Sequence, residues 1–306
     1  MNPFRRKAQP SRADQQAAAT ATAIRDLSER FERIERAIRD LKQNVDLVPS
    51  LVRKLYLEGV ALEPPYDLQS ERFSFSSQND EDGLVLAIFK RIGATSRRFV
   101  DLGCGMNGGN SGFLASELGW HGLMVDGRDD AIRKIVVRFT GHPVIARHQR
   151  LTREGIDAFI TEQGFAGEID LLSLDIDGVD YWIWETLTAC NPRLVALEYN
   201  WLFGAERAVT IPYSADFDVH AVGNRAYHGA SLAALVHLGR RKGYRLIATE
   251  RVNAFFLRND LAPEVPAVDP RNAYRISDKY NDLIRRKDID VYKWAADTGR
   301  EIVDVG

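Results

Sequence analysis

The chain has 306 residues, with 41 Lys and Arg against 43 Asp and Glu, 45% apolar residues and 9% aromatic ones. A net charge of −2 lacks the basic excess of a nucleic-acid binder, and no run approaches the roughly eighteen apolar residues of a membrane span. Two cysteines, Cys104 and Cys190, exclude a disulfide framework and a cysteine-based zinc module; with no apolar segment behind the basic N-terminus, a soluble cytoplasmic protein is expected.

Charge is uneven along the chain. Residues 1–54 hold 12 Lys and Arg against 7 Asp and Glu, whereas the rest is acidic. Residues 1–20 are rich in Arg, Gln and Ala and predict a disordered basic tail. Ile24, Leu27, Phe31, Ile34, Ile38, Leu41, Val45 and Val48 then follow in alternating steps of three and four, the period of a coiled-coil seam. A helix over 21–55 that drives homo-oligomerisation is expected. A lone amphipathic helix packed on its own domain, and a helix lying on a membrane surface, are the alternatives. Pro49 interrupts the pattern.

The body, residues 65–262, alternates strand-like and helix-like runs. FVDLG (99–103) precedes a helix over 111–118; GLMVDG (122–127) precedes DAIRKIVVRF; PVIARH (143–148) precedes a helix over 155–163. IDLLSLDID (169–177) precedes YWIWETL, and RLVALEYN (193–200) closes the series. Such alternation predicts an α/β fold: a Rossmann-like, doubly wound and mostly parallel sheet. SLAALVHLGRRKG then predicts a helix, and YRLIATE with VNAFFLR an antiparallel hairpin at the sheet edge. Residues 263–306 form a C-terminal extension.

Gly103, Gly105 and Gly108 follow the first strand with the spacing of a dinucleotide loop, where a missing Cβ lets backbone approach a ligand. Cys104 and Asn107 lie within that loop, Cys104 chosen for its small size. Asp126 ends the second strand, placed to accept hydrogen bonds from both hydroxyls of a ribose. Asp101, two residues before the first glycine, separates the cofactor candidates. Its carboxylate repels a pyrophosphate but complements the ammonium and sulfonium of S-adenosylmethionine. Asp-x-Gly-x-Gly followed by Asp126 resembles motif I and the ribose acid of class I methyltransferases.

Ligands of open parallel sheets sit at the carboxyl ends of the strands. There the alternation of the fourth strand puts Ser173, Asp175 and Asp177 on one face, and Glu198 and Asn200 end the fifth. Converging carboxylates need something positive beside them: the cofactor, a divalent cation or an Arg. Ser77-Gln78-Asn79-Asp80-Glu81-Asp82-Gly83, VDLGCG, LLSLDIDGVDYWIWE and LEYNWLFG together resemble the FkbM-like methyltransferases over about residues 70–260. The resemblance implies O-methylation of a sugar, glycan or small natural product, with Gln78 reaching the methionine end of the cofactor and Asp175 beneath the transferring methyl.

Two routes to the acceptor's proton stay open. Asp177 or His228 acts as general base, or Mg2+ held by Asp175, Glu198 and Asn200 lowers the hydroxyl's pKa. The insert over 205–225 is the expected acceptor-recognition segment, where Arg207 and Arg225 are as open to an anionic group as to solvent. The alternatives to a methyltransferase are an NAD-linked oxidoreductase, disfavoured by Asp101, and a non-catalytic scaffold organised by the coiled coil.

Overall fold

A computed structural model describes residues 68–274 and 290–306. The chain divides after residue 55, and everything described belongs to the second unit. The basic tail expected over 1–20 and the coiled-coil helix expected over 21–55 lie outside the described residues. Among the described residues, no helix is long and apolar enough to cross a membrane.

Helix α1 (Glu81–Ile92) carries Glu81 and Asp82 in its first turn and Lys90 and Arg91 in its last, the charge order the helix dipole favours. Five parallel strands follow: β1 (Arg98–Leu102), β2 (His121–Asp126), β3 (Val144–His148), β4 (Gly167–Leu174) and β5 (Cys190–Glu198). Between them lie α2 (Gly112–Ser116), α3 (Asp129–Arg138), α4 (Ile156–Glu162) and α5 (Asp180–Thr186). After a short β6 (Val209–Thr210), α6 (Leu232–Arg241) leads into the hairpin β7 (Tyr244–Glu250) and β8 (Asn253–Arg258). The chain closes with α7 (Pro270–Ala273), α8 (Val291–Asp297) and β9 (Val303–Asp304).

The main sheet has the order β3-β2-β1-β4-β5-β8-β7, and β8 runs antiparallel to both its neighbours. This is the Rossmann-like sheet with an antiparallel edge hairpin that the sequence predicts. Chain direction reverses outward from β1 and β4, and that reversal opens a crevice at their carboxyl ends. Strand alternation supplies both faces of the core. Val100, Leu102, Leu172, Leu174, Val195 and Leu197 pack with Ile160, Ile183, Trp184 and Leu235. Phe99, Leu171 and Leu194 are equally buried on the alternate positions, and Ile88 of α1 meets Leu257 of β8 there. Phe99 lies opposite Gly122 in register, and its ring occupies the space a Cβ at 122 would need.

The amino end of the sheet is tied by Asp170, which is fully buried at the start of β4. It accepts the N–H groups of Thr95, Ser96 and Arg97 and pairs with Arg193 of β5 at 2.9 Å. Burial alone pushes this carboxyl up, but those donors more than offset it and hold its pKa below the ordinary value.

Three features depart from the sequence reading. The helix expected over 111–118 is a tight turn at Gly109–Ser111 followed by only Gly112–Ser116, because glycines at 108, 109 and 112 weaken helix initiation. Strand β4 ends at Leu174, three residues early: Asp177 has φ +53, so the alternation that would align Ser173, Asp175 and Asp177 breaks. Part of the segment set apart as a C-terminal extension returns to the domain. β9 pairs antiparallel with β6, Val209 opposite Asp304 and Thr210 opposite Val303, and Tyr292 and Trp294 of α8 stack on Phe203 and Tyr227.

Candidate functional site

The glycine loop leaves β1 and its first residues are moored by backbone. Gly103 and Cys104 both donate to Val125 O of β2, and Asp175 N–H donates to Leu102 O. Gly103 has φ +93, and a Cβ there would lie 1.6 Å from the carbonyl oxygen of Asp175. No other residue fits. Cys104 is fully buried, and burial, then the charge of Asp101, pushes its thiol far up, so it is a packing residue and not a nucleophile.

Asp101 lies directly behind the loop, 1% exposed. Its Oδ2 accepts the Ser111 hydroxyl at 2.6 Å, and a Cβ at Gly109 would sit 2.8 Å from the same oxygen. Burial raises its pKa to about 7, against the lowering effect of Ser111 and Ser173. A carboxyl poised there ionises readily if a cation arrives. Asp126 ends β2 with 8% of its side chain exposed. Its Oδ2 accepts Gly105 N–H at 3.0 Å and its Oδ1 accepts Arg128 N–H at 2.8 Å, so it is fixed beside the loop. The Arg128 guanidinium that also reaches it is 53% exposed and can swing into solvent.

The segment before α1 covers this loop. Asn107 Nδ2 donates to Ser76 O at 2.7 Å, and Asp82 Oδ2 gathers the N–H groups of Phe75, Ser76 and Ser77 into one tight turn. Gln78 sits exposed on that turn, two residues from the contact with the loop. Asp82 escaped notice as an organiser of the turn. Its position five residues after Ser77, in the first turn of a helix, was the available signal.

Beyond β4, Asp180 shapes the acidic loop by accepting Ile176 N–H at 2.8 Å and Gly178 N–H at 3.0 Å. It too went unassigned, although Asp-Gly-x-Asp is a turn-forming pattern. Gly178 O in turn receives Gly229 N–H at 2.8 Å, docking the loop before α6 onto this one. Four expected residues thereby meet. Asp175 and Glu198 approach closely enough to perturb one another's carboxyls. Burial, then the Asp177 charge, raises Asp175; burial, then the Asp175 charge, raises Glu198. His228 Nε2 lies 3.8 Å from Glu198 Oε2, and Asp177 stands exposed beside both.

Asn200 is engaged elsewhere. Its Oδ1 caps the turn at Trp201–Phe203 by accepting Leu202 N–H at 2.9 Å, and its Nδ2 donates to Ala226 O and His228 O, both at 2.8 Å. The Asp175–Glu198–Asn200 set read from the sequence as an Mg2+ site therefore does not assemble: its amide oxygen faces a backbone donor. The insert residues named for acceptor recognition divide as well. Arg207 stacks on the Tyr292 ring, whereas Arg225 is exposed and its carbonyl accepts from His228 Nδ1 at 2.8 Å.

No protein-family model matches the chain, and no curated protein sequence matches it. Among solved structures, the N-terminal domain of EvdMO1 in the presence of SAH and D-fucose is similar at 14% identity and a TM-score of 0.36, over 68% of this chain and 94% of that one. The methyltransferase domain of bacterial CtHen1-C is similar at 14% identity and 0.36, over 58% and 97%. TehB from Haemophilus influenzae is similar at 12% identity and 0.36, over 57% and 62%. Likenesses this weak decide nothing about activity.

Proposed function

We propose that the chain is an S-adenosylmethionine-dependent methyltransferase acting on a hydroxyl of a sugar, glycan or small natural product. One observation supports this above all: a glycine loop pressed against the carboxyl ends of β1 and β4, with a buried acid behind it and a second acid ending the next strand. Asp126 would take the ribose hydroxyls, displacing the exposed Arg128 side chain. Asp101, already close to neutrality in pKa, would ionise against the cofactor's ammonium. A pyrophosphate in that place would meet a carboxyl with no compensating cation, which disfavours a dinucleotide.

Gly103, Gly105 and Asn107 would line the cofactor with backbone, Cys104 would fill the space behind it, and Gln78 would close over its methionine end. The mutually perturbed pair Asp175–Glu198 would floor the crevice where the methyl passes. Methyl transfer is an in-line displacement helped chiefly by holding the acceptor oxygen against the methyl. Asp177 and His228 are the two groups placed to receive the acceptor's proton or to polarise its hydroxyl. Self-association through residues 21–55, and a cytoplasmic location, belong to the same reading.

Calorimetric titration with S-adenosylhomocysteine, beside NADH, tests it on wild type, Asp126→Ala and Asp126→Asn. Binding of the former, lost in both variants and absent for NADH, is expected. Binding of NADH alone would make the chain a nicotinamide enzyme, and binding of neither would leave the scaffold.

A further inference from the structure

We propose that Asp177, Glu198 and His228 form a binding site for a divalent first-row transition cation of the Mn2+, Fe2+ or Zn2+ class. One donor atom from each of the three lies within 4.8 Å of the others, although they come from the loop after β4, the end of β5 and the loop before α6. Ligands about 2.1 Å from a shared ion stand roughly 3–4 Å apart, so small side-chain rotations bring all three onto one centre.

The orientation of His228 is the deciding feature. A carbonyl can only accept, so the 2.8 Å contact with Arg225 O places the proton on Nδ1. With Nδ1 as the donor, Nε2 faces Glu198 Oε2, 3.8 Å away and too far for a hydrogen bond. A cation seated in that gap would be reached by both atoms. Nδ1–H donation to a backbone carbonyl is also how ligating histidines are held in one tautomer.

The rest of the surroundings supports the same occupant. Asn200 holds the His228 carbonyl, Gly229 N–H clamps the same loop to Gly178, and Asp180 fixes the loop that carries Asp177; none of these bonds uses a ligand atom. Among the described residues, no Lys or Arg forms an ion pair with Asp175, Asp177, Asp180 or Glu198. An imidazole nitrogen among the donors favours a transition metal over Mg2+, which prefers oxygen throughout. Because Asp177 is exposed, solvent or an acceptor hydroxyl completes the coordination, and such a cation lowers the pKa of a hydroxyl it binds.

The site stands on these three side chains and not on the identity of the cofactor. Full-length protein, treated with EDTA and dialysed, is titrated with Mn2+ while free Mn2+ is followed by electron paramagnetic resonance. About one equivalent should bind, compete with Zn2+, and weaken at least tenfold in His228→Ala and in Asp177→Asn, both melting as cooperatively as wild type. Absence of Mn2+ or Zn2+ uptake by wild type overturns the proposal. Uptake unchanged in both variants overturns it equally, since the ion then lies elsewhere. S-adenosylhomocysteine binding, measured in the same samples, tests the methyltransferase reading separately.

Discussion

Single residues at the loop make the sharpest demands. Asp101 has a folded-state pKa of about 7 against an ordinary value of 3.8, because it is buried. Between those values the folded protein keeps a proton that the unfolded chain releases, so stability falls as pH rises from about 4 to 7 and is level above. Three pKa units correspond to a ceiling of about 4 kcal/mol. Asp101→Asn still accepts the Ser111 hydroxyl but cannot ionise, so its thermal melts should lack that slope and exceed wild type above pH 7. A wild-type slope shared by the variant would assign the effect to another group. Binding an ammonium-bearing cofactor at pH 6 should expel the Asp101 proton, visible as a buffer-dependent heat in calorimetry. Gly103→Ala must place a methyl 1.6 Å from the Asp175 carbonyl at φ +93, and should cost about 3 kcal/mol or more in urea denaturation.

At the scale of elements, the Asp170 knot and the returning tail are both load points. Asp170→Ala leaves Arg193, 4% exposed, without its counter-charge and three backbone donors without an acceptor, at a cost of about 3–5 kcal/mol. Equilibrium denaturation at neutral pH measures it, and a loss under 1 kcal/mol would show that water replaces the carboxylate. Trp294→Ala, removing the ring stacked on Tyr227 and under Arg300, should cost about 2 kcal/mol and move the imidazole resonances of His228 next door. An unmoved His228 signal would mean the loop before α6 is held without the tail. The sheet itself was legible, because alternation and glycine punctuation are local signals, and FVDL, GLMVD and LLSL each lie in the strand assigned to them. The end of β4 was not: Asp175 and Ile176 look like strand until Asp180 draws the N–H groups of Ile176 and Gly178 into a loop. Nor was the pairing of Val209 with Asp304, since two-residue strands carry no periodicity and their partners are distant. Glu198 and His228 were legible as candidates, but their approach depends on Gly229 meeting Gly178, a contact between loops that no spacing announces. Asn200 misled because an amide after an acid reads equally as ligand or as cap.

For the whole molecule, the division after residue 55 separates the basic, heptad-patterned stretch from the acidic α/β body. Light scattering of the full chain and of residues 56–306 should give an oligomer and a monomer respectively; equal subunit counts would remove self-association from residues 21–55. The body divides its labour by chain order. Every residue proposed for the cofactor lies before α5, whereas the proposed acceptor side draws on the loop before α6. During synthesis a chain emerges from its N-terminus, and domains fold as their residues become available. A nascent chain can thus present the glycine loop, with β1 to β4 around it, before His228 or its clamp has been made. Under the proposed function, the residues for the methyl donor are made first, and those that discriminate among acceptors complete the same unit afterwards.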